Sequence, residues 1–190
     1  MTEAAVVEAP ELVHWTHEAL VTPSQRFLGA VGEARDMEQK LLSRMDMHRG
    51  YGLSGCQVGW NWQVIALGVH PRQCMFNARV VDQTEDGEFQ NEACLSFPGI
   101  VASVWRPKAV KVRFQLADGT MHTEKYGGLT ARVLLHEMEH QQGRVFFDSV
   151  SKLSLGMLAK KAEKHYGRQY DVGRLWKIVQ RSKANGEKSS

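Results

Sequence analysis

The stretch that most constrains the fold of this 190-residue chain runs from Gly128 to Gly143 and combines helical periodicity with paired histidines. Apolar residues recur there at helical spacing, and the glycines at its two ends mark where the helix begins and ends. His136 and His140 are four residues apart, so on a helix they lie on one face, about one turn apart. Two imidazole nitrogens can therefore reach a single divalent metal ion.

Glu137 lies beside the first histidine and completes the pattern H-E-x-x-H. Its carboxylate would be close enough to a metal-bound water to take a proton from it. So short a motif also fits an ordinary polar helix face. The spacing and the residue types favour the metal site.

Size and composition indicate one globular domain without a membrane span. The chain is 43% hydrophobic and 24% charged, and its net charge of +3 gives no sign that the body as a whole binds polyanions. No run of about 18 apolar residues occurs. Because the first basic residue is Arg26, secretory and mitochondrial targeting segments are not expected, and we expect a cytoplasmic protein.

The three cysteines indicate a reducing compartment. Cys56, Cys74 and Cys94 cannot form a complete set of disulfides, and their spacing does not resemble a zinc ribbon. A lone cysteine is more often a small buried hydrophobe than a ligand. A site with two histidines needs a third protein ligand, however, and a reduced cysteine is available as a thiolate.

The region before residue 60 is predicted to contain one helix and one glycine-rich loop. Thr22 and Pro23 form a helix-start signal, and apolar residues continue at helical spacing to about His48. The loop that follows has four glycines in eleven residues, so its backbone can lie against a ligand. Gln57, near the end of the loop, either points into a site or caps the turn.

The middle of the chain is predicted to be rich in β-strands. Apolar and polar residues alternate clearly from Val110 to Leu116, and an Asp118-Gly119 turn leads into a partner strand. Strand pairs with one metal-carrying helix predict the α+β class, with antiparallel sheets wrapped around a central helix that carries H-E-x-x-H. The predicted strands are Gln63 to Val69, Ala78 to Asp82, Phe89 to Glu92, Val110 to Leu116 and Thr120 to Tyr126.

Charge is unevenly distributed and suggests three parts. Residues 1–21 are mixed in composition and are expected to be a flexible N-terminal segment, and residues 22–150 form the catalytic domain. Residues 151–190 contain ten Lys and Arg against three Asp and Glu, with apolar residues that predict one or two amphipathic helices and a polar tail. Such a segment is usually a solvated face, and the alternative is contact with an RNA-rich partner.

Three segments in this order resemble the peptide deformylases, metalloenzymes that remove the formyl group from the N-terminal methionine of new proteins. They are the glycine-rich loop ending in Gln57, the segment Glu-Ala-Cys-Leu-Ser around Cys94, and the H-E-x-x-H helix. The resemblance runs from about Thr22 to Asp148. The chain departs from the usual family pattern at four positions, which predicts weaker or differently tuned activity: Ser54, Gly55, Ala93 and Glu139.

The resemblance implies a metal centre and a cofactor. It makes Cys94, His136 and His140 the metal ligands, with water in the fourth place. Fe²⁺ is the metal that it implies, with Zn²⁺, Ni²⁺ or Co²⁺ as alternative occupants. The sequence itself does not choose among them, since one sulfur and two imidazoles suit several of these ions.

The resemblance also implies a mechanism. A metal-bound hydroxide would be the nucleophile that attacks the formyl carbon, with formate and a free N-terminus as products. Glu137 would act as general acid/base. Gln57 and the backbone N–H of Leu95 would bind the developing oxyanion.

Three further residues are candidates for substrate binding. Leu129 and Val133 precede His136 on its helix face and would line a pocket for the methionine side chain, or else belong to the core. Gly52 offers main-chain groups that can pair with a nascent peptide in strand fashion.

Two other functions fit parts of the sequence. A metallopeptidase of the H-E-x-x-H class would need a third His or Glu ligand downstream, for which His165 and Glu163 are the candidates. A non-catalytic deformylase-like protein would use its basic C-terminal segment to bind ribosomes. Mutation of Cys94 separates the first alternative from a deformylase, because only the deformylase would lose its metal.

Overall fold

The computed structural model describes residues 9–188, which contain two antiparallel sheets and four α-helices. The helices are α1 (Val31–Met47), α2 (Gly128–Gln141), α3 (Lys152–Tyr166) and α4 (Val172–Lys188). The strands are β1 (Gly52–Ser54), β2 (Val64–Leu67), β3 (Gln73–Gln83), β4 (Gly87–Ala93), β5 (Val101–Pro107), β6 (Ala109–Gln115) and β7 (Met121–Gly127).

The larger sheet has the strand order β1-β2-β3-β6-β7, and β4 and β5 form a separate antiparallel pair. Helix α2 packs on the larger sheet because its buried face, which includes Leu134 and Met138, meets apolar strand residues such as Val112 and Phe114. The α+β class is therefore confirmed. Helix α2 begins at Gly128 and is followed by Gly143 in the left-handed conformation, at φ +68°, as the sequence predicted.

The first helix begins later than predicted. Thr22 ends a 3-10 helix (Glu18–Val21) by donating its backbone N–H to Ala19 O, and α1 starts only at Val31. Residues 22–30 contain no helix, and Gln25 forms a parallel bridge to Trp62. The prediction from Thr22 was wrong because its capping signal belongs to the end of the short helix. Of the predicted N-terminal segment, residues 1–8 lie outside the described residues.

The strand predictions succeed where the alternation is strong. Strands β6 and β7 pair through the turn at Asp118-Gly119, as expected. Strand β3 begins five residues before the predicted Ala78, because Gln73 to Phe76 pair with β2. Strand β5 was not predicted, although it pairs with β4 along its whole length.

The C-terminal segment forms two helices that pack onto the body. Leu155, Leu175 and Val179 lie in one apolar cluster with Phe97 and Phe147. The fully buried Ser182 hydroxyl donates to Asp148 Oδ2 at 2.8 Å and accepts from Val145 N–H at 2.9 Å. Residues 189–190 of the predicted polar tail lie outside the described range. No helix between residues 9 and 188 has the length and apolar character needed to cross a membrane.

We predict that Leu175→Ala lowers the free energy of unfolding by about 2–5 kcal/mol, because it leaves a cavity under α4. Leu175 is 0% exposed, whereas Leu153 on α3 is 78% exposed, so Leu153→Ala is the matched control and is expected to change stability by less than about 0.5 kcal/mol. Urea unfolding measures both variants. Equal effects of the two substitutions would contradict the packing described for α4.

Candidate metal centre

Cys94, His136 and His140 come together in the interior from two separate elements. Cys94 directly follows β4, and the two histidines lie on successive turns of α2. One ligand atom from each of the three residues lies within 4.8 Å of the other two, and all three residues are buried. Cys94 Sγ is 3.2 Å from His140 Nε2. The three residues predicted as ligands are therefore side by side.

The three residues fit a metal ion by chemistry as well as by geometry. A thiol and two imidazoles are the donor set that several divalent transition metals accept. Within residues 9–188, Cys94, His136 and His140 form the one group of three or more His, Cys, Asp or Glu residues that is close enough together to hold an ion. The other proposed ligands, Glu163 and His165, are exposed on α3 and do not belong to it.

Glu92 is a site residue that the sequence reading did not identify. His136 Nδ1 is 3.0 Å from Glu92 Oε2, which leaves the opposite ring nitrogen available as a ligand. Arg106 donates two hydrogen bonds of 2.9 Å to the same carboxylate, and Arg132 donates one of 3.0 Å. The only sequence signal was its position two residues before Cys94.

Burial and charged neighbours shift the pKa values of three groups at the site. Burial opposes charge on Glu92, but hydrogen bonds from His136 and Arg106 lower its pKa to about 2. Burial also works to lower the pKa of His136, yet its contacts with Cys94 and Glu92 raise that pKa well above the usual value. Burial and the neighbouring positive charges of His136 and Arg106 lower the pKa of His140 well below its usual value, so His140 is neutral.

Glu137 lies next to the three residues and is 4% exposed. Burial raises the pKa of its carboxyl group, and its Oε2 atom has no hydrogen-bond partner among the described residues. Its backbone carbonyl accepts a 2.7 Å hydrogen bond from the hydroxyl of Ser54. The loop residue Ser54 is thus tied directly to the helix that carries Glu137.

Gln57 belongs to a 3-10 helix (Gly55–Val58), and its side chain extends toward Cys94. Its Oε1 accepts from the backbone N–H of Ser54 at 2.7 Å, so the side chain does cap the turn. Its Nε2 donates to Ser96 Oγ at 3.1 Å and lies 3.5 Å from Cys94 Sγ. The capping alternative is therefore confirmed, and the other end of the amide contacts the candidate ligand, so a role of Gln57 at the site stays a prediction.

A cavity of about 440 Å³ opens onto this cluster. Leu129 is 53% exposed at the cavity, which excludes a core role, whereas Val133 is 8% exposed and both lines the cavity and joins the core. Gly52 and Leu95 also line it. Gln57 and His140 do not line it and lie deeper in the protein.

The arrangement can support hydrolysis of a small polar group. It combines a candidate metal-binding cluster, a buried carboxylate with a free oxygen atom, and a cavity that admits a side chain.

Known proteins share this sequence and this fold. Residues 9–155 match the model of the polypeptide deformylase family. The peptide deformylase of Thermosynechococcus vestitus is 34% identical over 139 residues, which cover 70% of this chain and 74% of that protein. The peptide deformylase of Novosphingobium aromaticivorans is 30% identical over 157 residues, with 70% and 84% covered.

Solved structures give the same result. A peptide deformylase from Synechococcus elongatus, solved in complex with actinonin, has a TM-score of 0.75 and 30% identity and covers 86% of this chain and 88% of its own. A peptide deformylase from Legionella pneumophila has a TM-score of 0.76 at 23% identity, covers 82% and 94%, and supports the fold alone. The match of residues 9–155 spans more than half of the chain, and this chain therefore belongs to the polypeptide deformylase family.

Proposed function

We propose that this chain removes the formyl group from the N-terminal formylmethionine of nascent polypeptides, releases formate, and works in the cytoplasm. The observation that carries the proposal is the convergence of Cys94, His136 and His140 beside Glu137 in a family member. The third candidate ligand is a cysteine upstream of the helix. A metallopeptidase would instead need His165 or Glu163, which are exposed elsewhere.

Cys94, His136 and His140 would hold the metal ion, for which we propose Fe²⁺, with Zn²⁺, Ni²⁺ or Co²⁺ as alternative occupants. When bound, such an ion lowers the pKa of a coordinated water toward neutrality and polarises a carbonyl oxygen. Glu92 would orient His136 so that its other ring nitrogen can bind the ion, because the Glu92 carboxylate accepts a hydrogen bond from Nδ1–H.

Glu137 would act as general acid/base. A carboxyl group whose pKa is raised by burial holds a proton more readily at neutral pH, so it can accept one from water and pass it to the departing amine. The unpartnered Oε2 leaves a lone pair for that transfer. This role requires the carboxylate to stay where the fold places it.

Gly52 makes room for that carboxylate. A Cβ atom at this position would lie 2.7 Å from Glu137 Oε1 and 2.7 Å from Val133 Cγ1, closer than real Cβ contacts allow. Gly52 also belongs to β1, which is an edge strand of the larger sheet and borders the cavity. An extended peptide can pair with such an edge through main-chain hydrogen bonds.

The oxyanion and the methionine side chain have candidate partners at the site: Leu95, Leu129 and Val133 line the cavity, and the Gln57 amide lies deeper, beside Cys94. The amide of Gln57 and the backbone N–H of Leu95 would stabilise the developing oxyanion, and loss of such a donor typically costs about 3–4 kcal/mol in the transition state. Leu129 and Val133 would contact the methionine side chain, since both line the cavity.

We further propose that the basic C-terminal helices contact ribosomal RNA. Lys160, Lys161 and Lys164 are exposed on α3, while Leu155, Ala159 and Ala162 of the same helix pack inward against the body. Such a face can neutralise phosphates without disturbing the fold.

Glu137→Gln is expected to keep the metal content and lower the rate of formate release from formyl-Met-Ala-Ser by about 10²–10⁴-fold, the usual contribution of a general acid/base. Anaerobic metal analysis and a formate assay on the Fe²⁺-loaded protein measure both. Glu163→Gln, on exposed α3, is the control and should match wild type. No formate from the wild-type protein would refute the proposed function, and full activity in Glu137→Gln would refute the role of this residue.

Gly52→Ala is expected to lower turnover by about 10²-fold, because the added methyl group displaces the Glu137 carboxylate. Gly32→Ala is the matched control, since a Cβ there meets no atom within 4 Å. Circular dichroism and steady-state kinetics on both variants provide the comparison. Wild-type turnover in a folded Gly52→Ala protein would show that the carboxylate needs no such space.

Replacement of Lys160, Lys161 and Lys164 by Gln should weaken cosedimentation with ribosomes and reduce its dependence on salt, because fewer counterions are released. Cleavage of the short formyl peptide should stay unchanged. If the triple variant cosediments as wild type does over the same salt range, the lysines have no part in ribosome binding.

A further inference from the structure

A second cavity, of about 580 Å³, lies where the C-terminal end of α2 meets strands β3 and β6. It shares no lining residue with the cavity at the metal centre. The cavity is lined by three arginines, which are Arg26, Arg79 and Arg113. No Asp or Glu lines it. The cavity is therefore positively charged, whereas the candidate metal centre contains the buried carboxyl groups of Glu92 and Glu137.

Two of the arginines lie opposite each other on neighbouring strands. Arg79 on β3 pairs in register with Arg113 on β6. Like charges directly opposite each other in an antiparallel pair destabilise the sheet. No ion pair is found for Arg26, Arg79 or Arg113 within residues 9–188. Both arginines are exposed, so their charges are available to an anion that enters the cavity.

Gln141 supplies an independent sign of a missing acceptor. It is 4% exposed, lines the cavity, and its side-chain Nε2 is buried without a hydrogen-bond partner among the described residues. A buried donor left unpaired costs about 1–3 kcal/mol. Because Nε2 itself is buried, the amide has to turn toward the cavity to donate this missing hydrogen bond to an anion there.

The end of α2 does not cancel this positive charge. A helix C-terminus carries a partial negative charge through its last carbonyl groups. Here Gln141 O accepts from Ser24 N–H at 2.8 Å, and His140 O accepts from Gly143 N–H at 3.0 Å. These carbonyls are capped, so the arginines and the free amide dominate the cavity.

We propose that this cavity binds a small organic phosphate. Guanidinium groups bind phosphate through paired, charge-assisted hydrogen bonds. Met121 and Met138, which also line the cavity, provide apolar surface for the organic part, and the volume falls in the range of small-molecule sites. The site is separate from the metal centre, so the proposal does not rest on the deformylase activity.

Isothermal titration of the metal-loaded protein with adenosine monophosphate and with inorganic phosphate tests the proposal. Saturable binding is expected for both probes, with the nucleotide binding more tightly. Arg79→Gln combined with Arg113→Gln should weaken nucleotide binding by at least about tenfold, and Gln141→Leu should weaken it by a smaller factor. Circular dichroism confirms that each variant is folded.

The matched control is Lys111→Gln combined with Lys125→Gln. These two exposed lysines also face each other on neighbouring strands of the same sheet, but they do not line the cavity. Their substitution removes the same charge as the two arginine substitutions do. The control should bind the nucleotide as wild type does. The proposal would be overturned if neither probe showed saturable binding, or if the nucleotide bound no more tightly than phosphate. It would also be overturned if nucleotide binding survived the arginine substitutions, or if the two double variants weakened it equally.

Discussion

The candidate site depends on one buried carboxylate. Glu92 is held by Arg106 and Arg132 and accepts from His136, so a single side chain joins β4, β5 and α2. A buried charge is tolerated only when its hydrogen bonds are satisfied, and this one has partners on both oxygen atoms. The same contacts fix the orientation of a candidate metal ligand. Packing around Glu92 therefore holds His136 in place.

The four departures from the usual family pattern have local explanations in this fold. The hydroxyl of Ser54 donates a hydrogen bond to the carbonyl of Glu137. Glu139 forms an ion pair with Arg106 at 2.7 Å. Gly55 leaves the space taken by Val64, since a Cβ there would lie 2.8 Å from Val64 Cγ1. Ala93 is exposed and paired with Val101. None removes a candidate ligand, and the prediction of weaker or differently tuned activity stays a prediction.

Local signals allowed much of the fold and site to be predicted. The i, i+4 histidines, the alternation in β6 and the Asp118-Gly119 turn each act over a few residues, and the structure has the elements they indicate. Long-range contacts carried no such signal. Cys94 is 46 residues from His140 and was placed through the family resemblance, and Glu92 is 44 residues from His136 and was missed. The arginine-lined cavity also had no sequence signal, because the cross-strand pairing of Arg79 and Arg113 exists only once the sheet forms.

X-ray absorption spectroscopy of the anaerobically Fe²⁺-loaded protein tests the central claim most directly. One sulfur and two imidazole scatterers around the iron are predicted, and the sulfur contribution should vanish in Cys94→Ala but persist in Cys74→Ala. Cys74 is also buried but packs in a different apolar cluster, so it is the matched control. A spectrum without sulfur in the wild-type protein, or one unchanged by Cys94→Ala, would contradict the account.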